Sequence, residues 1–168
     1  MMANLEQLAE RARRLRIHSL RTTTKAGSGH PTSCLSCAEI MAALFFHAMR
    51  FDPANPNAND GDRFVLSKGH AAPVLYAALA EAGVFPVARL ETLREFASEL
   101  EGHPTPLVPG VDAATGSLDV IKTHLSQRAL GLPTAPAVMF QNRVVANIIP
   151  FSIRVSWKSC AKLLSVAL

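Results

Sequence analysis

Residues 27–34 read GSGHPTSC, and this short run interrupts a helical pattern on both of its sides. Glycine relaxes the backbone and proline lacks a donor, so the run predicts a turn between two helices. Before it, apolar residues at helical spacing predict a helix over residues 4–24. After it, a hydroxyl residue can cap a second helix, which we expect to extend from about Thr32 to about His47.

Further along the chain, the pattern changes from helix to strand and back to helix. The apolar run 63–67 is bounded by turns, as in a buried parallel strand. An alanine-rich helix is predicted over residues 71–82, closed by Gly83, and another helix over residues 87–99. Residues 101–118 are predicted to form a loop rich in proline and glycine. The predicted fold class is α/β, mostly helical with one clear parallel-type strand and therefore an incomplete sheet.

The composition is that of one globular domain. The chain has 168 residues, of which 49% are hydrophobic, and it contains no apolar run long enough to span a membrane. Its first residues lack the basic and apolar segments of a secretory signal, and its three cysteines are an odd number. We therefore expect a cytoplasmic protein with reduced thiols and no membrane partner.

The net charge of +4 is divided unevenly along the chain. Residues 1–118 contain 11 Lys or Arg and 12 Asp or Glu, whereas residues 119–168 contain six basic residues and a single acid. These six basic residues are scattered among apolar ones rather than clustered beside stacking aromatic side chains. A nucleic-acid partner is therefore not expected.

Three of the six histidines directly follow a glycine at a predicted element boundary: His30, His70 and His103. Loops held by a rigid scaffold contain a large share of binding residues, and glycine permits a ligand to approach the backbone closely. The alternative is that histidine and glycine simply share turns. The repetition at three boundaries favours a functional cluster. His18 and His47 lie within predicted helices and are expected to be structural.

A metal site is the competing chemical interpretation, because Cys34 and Cys37 have the spacing of a zinc-binding pair. However, the pair falls within the second predicted helix and has no matching Cys or His pair at zinc-finger spacing. We expect buried helical cysteines and no metal ligands from this chain.

Taken together, five segments resemble the N-terminal part of the transketolases in order and spacing, over about residues 4–118. The segments are residues 27–34 (GSGHPTSC), 38–47 (AEIMAALFFH), 62–71 (DRFVLSKGHA), 102–104 (GHP) and 114–118 (ATGSL). The resemblance implies the N-terminal part of a thiamine-diphosphate-binding domain. It also implies a homodimeric transferase of the pentose phosphate pathway, which moves a two-carbon ketol unit from a ketose phosphate to an aldose phosphate.

The resemblance also implies roles for particular residues. His30 and His103 match the histidines that line the substrate channel, where they stabilise oxyanions and relay protons. His70 matches the histidine beside the cofactor. Gly116, Ser117 and Leu118 match the segment that contacts the diphosphate and aminopyrimidine of thiamine diphosphate, which the family binds with Mg²⁺ or Ca²⁺.

After Leu118 the chain departs from the family pattern. The family continues with Gly-Gln-Gly and later has a metal-binding Gly-Asp-Gly motif, and neither occurs in this sequence. Residues 119–168 are therefore expected to be a non-family tail, from a frame change or alternative splicing, after a truncated domain at residues 4–118. We expect this chain alone to be inactive and to bind cofactor poorly. The alternative function is a non-catalytic fragment, or an interaction protein that binds a transketolase protomer.

Overall fold

The computed structural model describes residues 4–116, and the regular elements within this range are helical. No helix in this range is both long and apolar enough to cross a membrane. The α-helices are α1 (Leu5–Ala26), α2 (Pro31–Leu35), α3 (Ala38–Ala43) and α4 (Ala72–Ala82). A π-helical turn covers Leu44–Ala48, and 3₁₀ turns cover Gly69–Ala71 and Val87–Thr92.

Helix α1 has a clear signal at each end. Asn4 and Gln7 form a capping box, in which each side chain bonds the backbone N–H of the other residue. At the other end Gly27 adopts a left-handed conformation with φ 59°, and its N–H bonds the carbonyls of Thr23 and Thr24. The helix predicted over residues 4–24 is confirmed, with its end two residues further on.

Helix α1 packs against both α3 and α4 at the centre of the fold. Helix α4 is predicted correctly: Pro73 lies in its first turn, Gly83 ends it at φ 100°, and most of its residues are buried. From α1, Leu15 is fully buried in the same core. At the rim, the Glu81 carboxylate of α4 bonds two arginines of α1, and His18 Nε2 lies 2.7 Å from Glu81 Oε1. His18 is thus a structural contact, as expected.

The second helix is broken where the sequence pattern predicted one continuous helix. The Ser36 hydroxyl and the Cys37 thiol both bond the carbonyl of Ser33. Such side-chain bonds compete with the helical backbone bonds. Helix α2 therefore ends at Leu35, and α3 restarts at Ala38 before widening into the π-helical turn.

The predicted strand over residues 63–67 is not confirmed. Within residues 4–116 the structure contains no strand, and residues 62–66 have irregular backbone. Most of their side chains are nevertheless buried, including Phe64, Val65 and Leu66. The apolar run therefore predicted burial correctly, but a strand also needs a neighbour for its backbone ladder.

The helix predicted over residues 87–99 is wrong in its second half. Only the 3₁₀ turn Val87–Thr92 forms, and turns follow it. Arg94 and Ala97 have positive φ values of 62° and 66°, which interrupt any right-handed helix. The predicted loop from residue 101 is observed as far as Gly116.

Candidate functional site

Two of the three predicted glycine–histidine loops meet directly. His30 precedes α2, and its imidazole ring lies edge-on to that of His70, with 5.0 Å between ring centroids and 74° between ring planes. Ser33, one turn into α2, places its hydroxyl oxygen 3.0 Å from His70 Nε2. The result is a pair of imidazoles of which one is exposed and the other half-buried and held by a hydroxyl group.

The backbone beside His70 lies tightly against the end of the described chain. The Gly69 N–H donates to the carbonyl of Gly116 at 2.9 Å. A Cβ atom at Gly69 would lie 2.6 Å from the carbonyl oxygens of both Thr115 and Gly116. Glycine is therefore required at position 69, because any side chain would push the two segments apart.

The third histidine loop is joined to the same region through the backbone. The buried Tyr76 hydroxyl of α4 donates to the carbonyl of His103 at 3.0 Å. The N–H of Thr115 donates to the carbonyl of Pro104 at 3.3 Å. The loop containing His103 is thus attached to the segment that ends at Gly116, which in turn contacts Gly69, and His103 itself is exposed.

The structure therefore connects the four predicted site residues that lie within residues 4–116. His30 and His70 are in ring contact, Gly116 bonds the residue before His70, and His103 lies on a loop bonded to the same segment. The other two predicted cofactor contacts, Ser117 and Leu118, lie outside the described residues.

Sequence reasoning missed three residues that hold this site together: Ser33, Tyr76 and Thr115. Ser33 could have been suspected, because it lies three residues after His30 and so one helical turn away. Tyr76 is the single tyrosine of the chain and lies in the buried part of helix α4, among apolar residues, where its hydroxyl needs a partner. Thr115 has no comparable signal. Its hydroxyl is buried without a hydrogen-bond partner among the described residues.

The buried thiols are unsuited to nucleophilic catalysis. Cys34 and Cys37 are free and buried, as predicted. Desolvation raises the pKa of Cys34, and it raises the pKa of Cys37 to about 12, so both remain protonated near neutral pH. Within residues 4–116 no three or more His, Cys, Asp or Glu side chains are grouped as a metal site.

Comparison with known proteins identifies the family. The family model described as transketolase, thiamine diphosphate binding domain, matches residues 7–139, which is most of the chain. The chain belongs to the transketolase family. The family match extends beyond Leu118, where the recognisable motifs end, so the expected boundary between domain and tail at that residue stays a prediction.

Individual transketolases agree with this assignment. Mouse transketolase is 60% identical over 114 residues, which cover 68% of this chain and 18% of that protein. The crystal structure of transketolase from Campylobacter jejuni has 37% identity and a TM-score of 0.63, over 68% of this chain and 18% of that one. The 6-deoxy-6-sulfo-D-fructose transketolase subunit SqwG of Clostridium sp. (strain MSTE9) is 44% identical over 66% of this chain and 41% of that protein. This chain thus spans about a fifth of the length of its mammalian relatives.

Proposed function

We propose that this chain supplies the histidine loops of a transketolase, which transfers a two-carbon ketol unit from a ketose phosphate to an aldose phosphate. The observation that supports this most directly is the contact between the His30 and His70 rings, with Ser33 bonded to His70. Imidazoles titrate near neutral pH, which suits groups that both donate and accept protons during carbonyl chemistry.

In this proposal His30 and His103 act on the substrate. Both are exposed, so a sugar phosphate can reach them, and both lie on loops attached to the buried core. Each ring can donate a hydrogen bond to a carbonyl or hydroxyl oxygen while negative charge develops on it, and can then transfer the proton. His70 has a different role: its ring is half-buried and oriented by Ser33, so it positions a bound group.

Thiamine diphosphate, the family's cofactor, supplies the electron sink for this chemistry when it is bound. The described residues fit this cofactor in part. We propose that His70 and Gly116 contact it, followed by Ser117 and Leu118. The buried hydroxyl of Thr115, which is unpartnered among the described residues, lies beside Gly69 and offers a polar contact. Residues 4–116 contain no grouped ligands for the Mg²⁺ or Ca²⁺ that accompanies the diphosphate, so this part of the chain does not fit the metal.

We further propose that a polypeptide of these 168 residues alone does not catalyse the reaction, and that the active form is a homodimer of a longer chain. Without the metal, the diphosphate charge lacks its main counter-ion. The pure chain is therefore expected to form no detectable product from xylulose and ribose phosphates.

A chimera tests the catalytic proposal. Residues 4–118 would replace the matching segment of mouse transketolase, and ketol transfer would be measured from xylulose phosphate to ribose phosphate. We expect an active chimera in which His30→Ala or His103→Ala lowers kcat by about 100-fold or more, since general acid–base groups contribute on that scale. His18→Gln is the matched control, because His18 contacts Glu81 between the helices. Full activity of the His30 and His103 variants would contradict the assignment.

A second candidate function is binding to a transketolase protomer without catalysis. Phe96 is fully exposed on its loop and Leu107 is largely exposed, so both are accessible to a partner. A relative that is named a transketolase subunit is consistent with such an assembly. Size-exclusion chromatography of the chain with and without an intact transketolase shows whether the chain binds a transketolase protomer. A stable mixed complex that is lost in Phe96→Ser supports binding, and separate elution excludes it.

A further inference from the structure

Arg94 holds a backbone conformation that arginine rarely adopts. Its φ is 62°, in the left-handed region that favours glycine. The Arg94 N–H donates to the carbonyl of Leu100 at 2.8 Å, which closes the loop between these residues. A strained conformation persists only where surrounding contacts over-determine it, and such residues concentrate at functional sites.

The side chain of Arg94 explains what this conformation achieves. Its Nη1 donates to the hydroxyl of Ser28 at 2.9 Å. The same side chain lies across Gly102: a Cβ atom there would be 3.2 Å from Nη1 and 3.6 Å from both Cδ and Cζ of Arg94. The guanidinium group therefore lies between two loops that are 74 positions apart in the sequence.

These two loops contain the proposed substrate histidines. Ser28 lies two residues before His30, and Gly102 lies directly before His103. The first loop is otherwise held to α1, where the Ser28 N–H bonds the Thr23 carbonyl. The second is held to α4 by the Tyr76 hydroxyl. These bonds attach each loop to the helical core, whereas Arg94 contacts both loops at once.

We propose that Arg94 is a positioning residue, which bridges the Ser28 and Gly102 loops and so sets the separation of His30 and His103. Its catalytic consequence rests on the proposed function, but the bridge itself is a property of this chain. The guanidinium suits the position, because it donates to Ser28 in a fixed direction while the same side chain packs closely against Gly102. The absence of a Cβ at Gly102 leaves the room that this close packing needs.

The bridge predicts that a change in one loop is felt in the other. In the full 168-residue chain, Ser28→Ala removes the acceptor of the Arg94 bond and leaves the backbone cap of α1 intact. We expect it to shift the His103 imidazole resonances and to speed amide exchange at Gly102 by about two- to fivefold, as for one exposed charge-assisted bond. Gly102→Ala displaces the guanidinium and is expected to shift the His30 resonances in turn, because coupling is reciprocal.

Arg94→Gly separates positioning from mere stability. Glycine suits φ 62°, so we expect the melting temperature to be unchanged or higher while the cross-loop effects disappear. In this background, Ser28→Ala should produce no further change at His103. Ala97→Gly is the matched control: it relaxes the other positive φ, of 66°, and should leave the coupling intact.

The bridge is confirmed if a substitution in one loop shifts the histidine resonances of the other loop and if this shift vanishes in Arg94→Gly. It is overturned if the shifts are confined to the mutated loop, or if the shifts in the other loop persist in Arg94→Gly. Neither result depends on catalysis, so an inactive chimera would count against the proposed function alone. In an active chimera, Ser28→Ala is expected to lower kcat about two- to fivefold with little change in KM, as for a group that aligns catalytic residues.

Discussion

The interface between α1 and α4 and the cluster of histidine loops are held together by different means. The helices pack through fully buried side chains such as Leu15, and Glu81 bonds two arginines at their rim. The loops place His30 and His103 at the surface and are joined to one another by backbone and hydroxyl bonds. Buried apolar area therefore stabilises the helices and the loop residues Leu100 and Val108 that pack in the same core, while the exposed histidine segments contribute geometry.

This difference has a functional reason. Side chains that must meet a substrate have to remain accessible, so they cannot also contribute much buried area. Segments with few buried apolar contacts open locally at low free-energy cost, whereas packed helices open only with the whole domain. Substitutions in the interface should therefore lower global stability, and substitutions in the loops should alter local structure.

The largest effect is expected for Leu15→Ala in α1. Leu15 is fully buried, so its truncation should lower the free energy of unfolding by about 3 kcal/mol through lost transfer energy and the cavity left behind. Leu20→Ala on the same helix is the control, because Leu20 is 42% exposed. Urea denaturation followed by circular dichroism measures both. Similar losses for the two variants would contradict the proposed core.

The next largest effect is expected at Gly69, where the loop that contains His70 lies tightly against the backbone of the segment that ends at Gly116. Gly69→Ala places a Cβ atom 2.6 Å from two carbonyl oxygens, and the overpacking should cost about 1–3 kcal/mol. Unlike Leu15→Ala, it should also break the bond from the Gly69 N–H to Gly116. Hydrogen exchange at the Gly69 amide reports this local change. Unchanged protection at that amide would show that the contact is dispensable.

A smaller effect is expected for Glu81→Gln, which removes the charge but keeps the shape. The Glu81 carboxylate is 1% exposed and lies 2.8 Å from both Arg11 and Arg14. The arginine side chains are 38% and 46% exposed, so water screens the pairs and the loss should be about 1–2 kcal/mol. Glu10→Gln, in an exposed pair with Arg13, should leave the urea midpoint unchanged. An equal response of both variants would place Glu81 outside the core.

Tyr76→Phe tests the bond between the two regions, since the tyrosine lies in α4 and its hydroxyl bonds the His103 carbonyl. We expect a loss of about 1 kcal/mol in the free energy of unfolding, because water can replace the donor at an exposed residue. Faster exchange should be limited to the loop around His103. Faster exchange throughout α4 would mean that the hydroxyl stabilises the helix instead.

The smallest effect is expected for the buried thiol of Cys37, and it should appear only as the pH rises above neutrality. Folding raises the pKa of Cys37 from its ordinary value near 9 to about 12, so the folded state holds the proton more tightly than the unfolded chain. The stabilisation of the folded state that comes from the protonated Cys37 thiol is complete below about pH 9. It is lost as the pH rises from there towards 12. Cys37→Ala should therefore reduce the decline in urea midpoint between neutral pH and about pH 10.5. If the urea midpoint of Cys37→Ala declines with pH as it does in the original chain, other groups cause the decline. Tyr76 is one such group, because burial also raises its pKa.

Local patterns were enough to predict several elements. The apolar spacing and caps predicted α1 and α4, and the apolar run at 63–67 predicted burial though not the irregular backbone that forms there. The repeated glycine–histidine pairs, with their flanking motifs, identified the family and the candidate site. These properties depend on a residue and its near neighbours, which a sequence displays directly.

Tertiary contacts decided the rest. The conformation of Arg94 depends on a partner far along the chain, because its guanidinium group donates to the hydroxyl of Ser28. His30 and His70 are 40 positions apart, and only the packed core brings their rings to 5.0 Å. The sequence by itself therefore determined helices α1 and α4 and which residues are candidates for chemistry. The tertiary structure alone decided which of them meet, because contacts between distant segments depend on the packing of the whole domain.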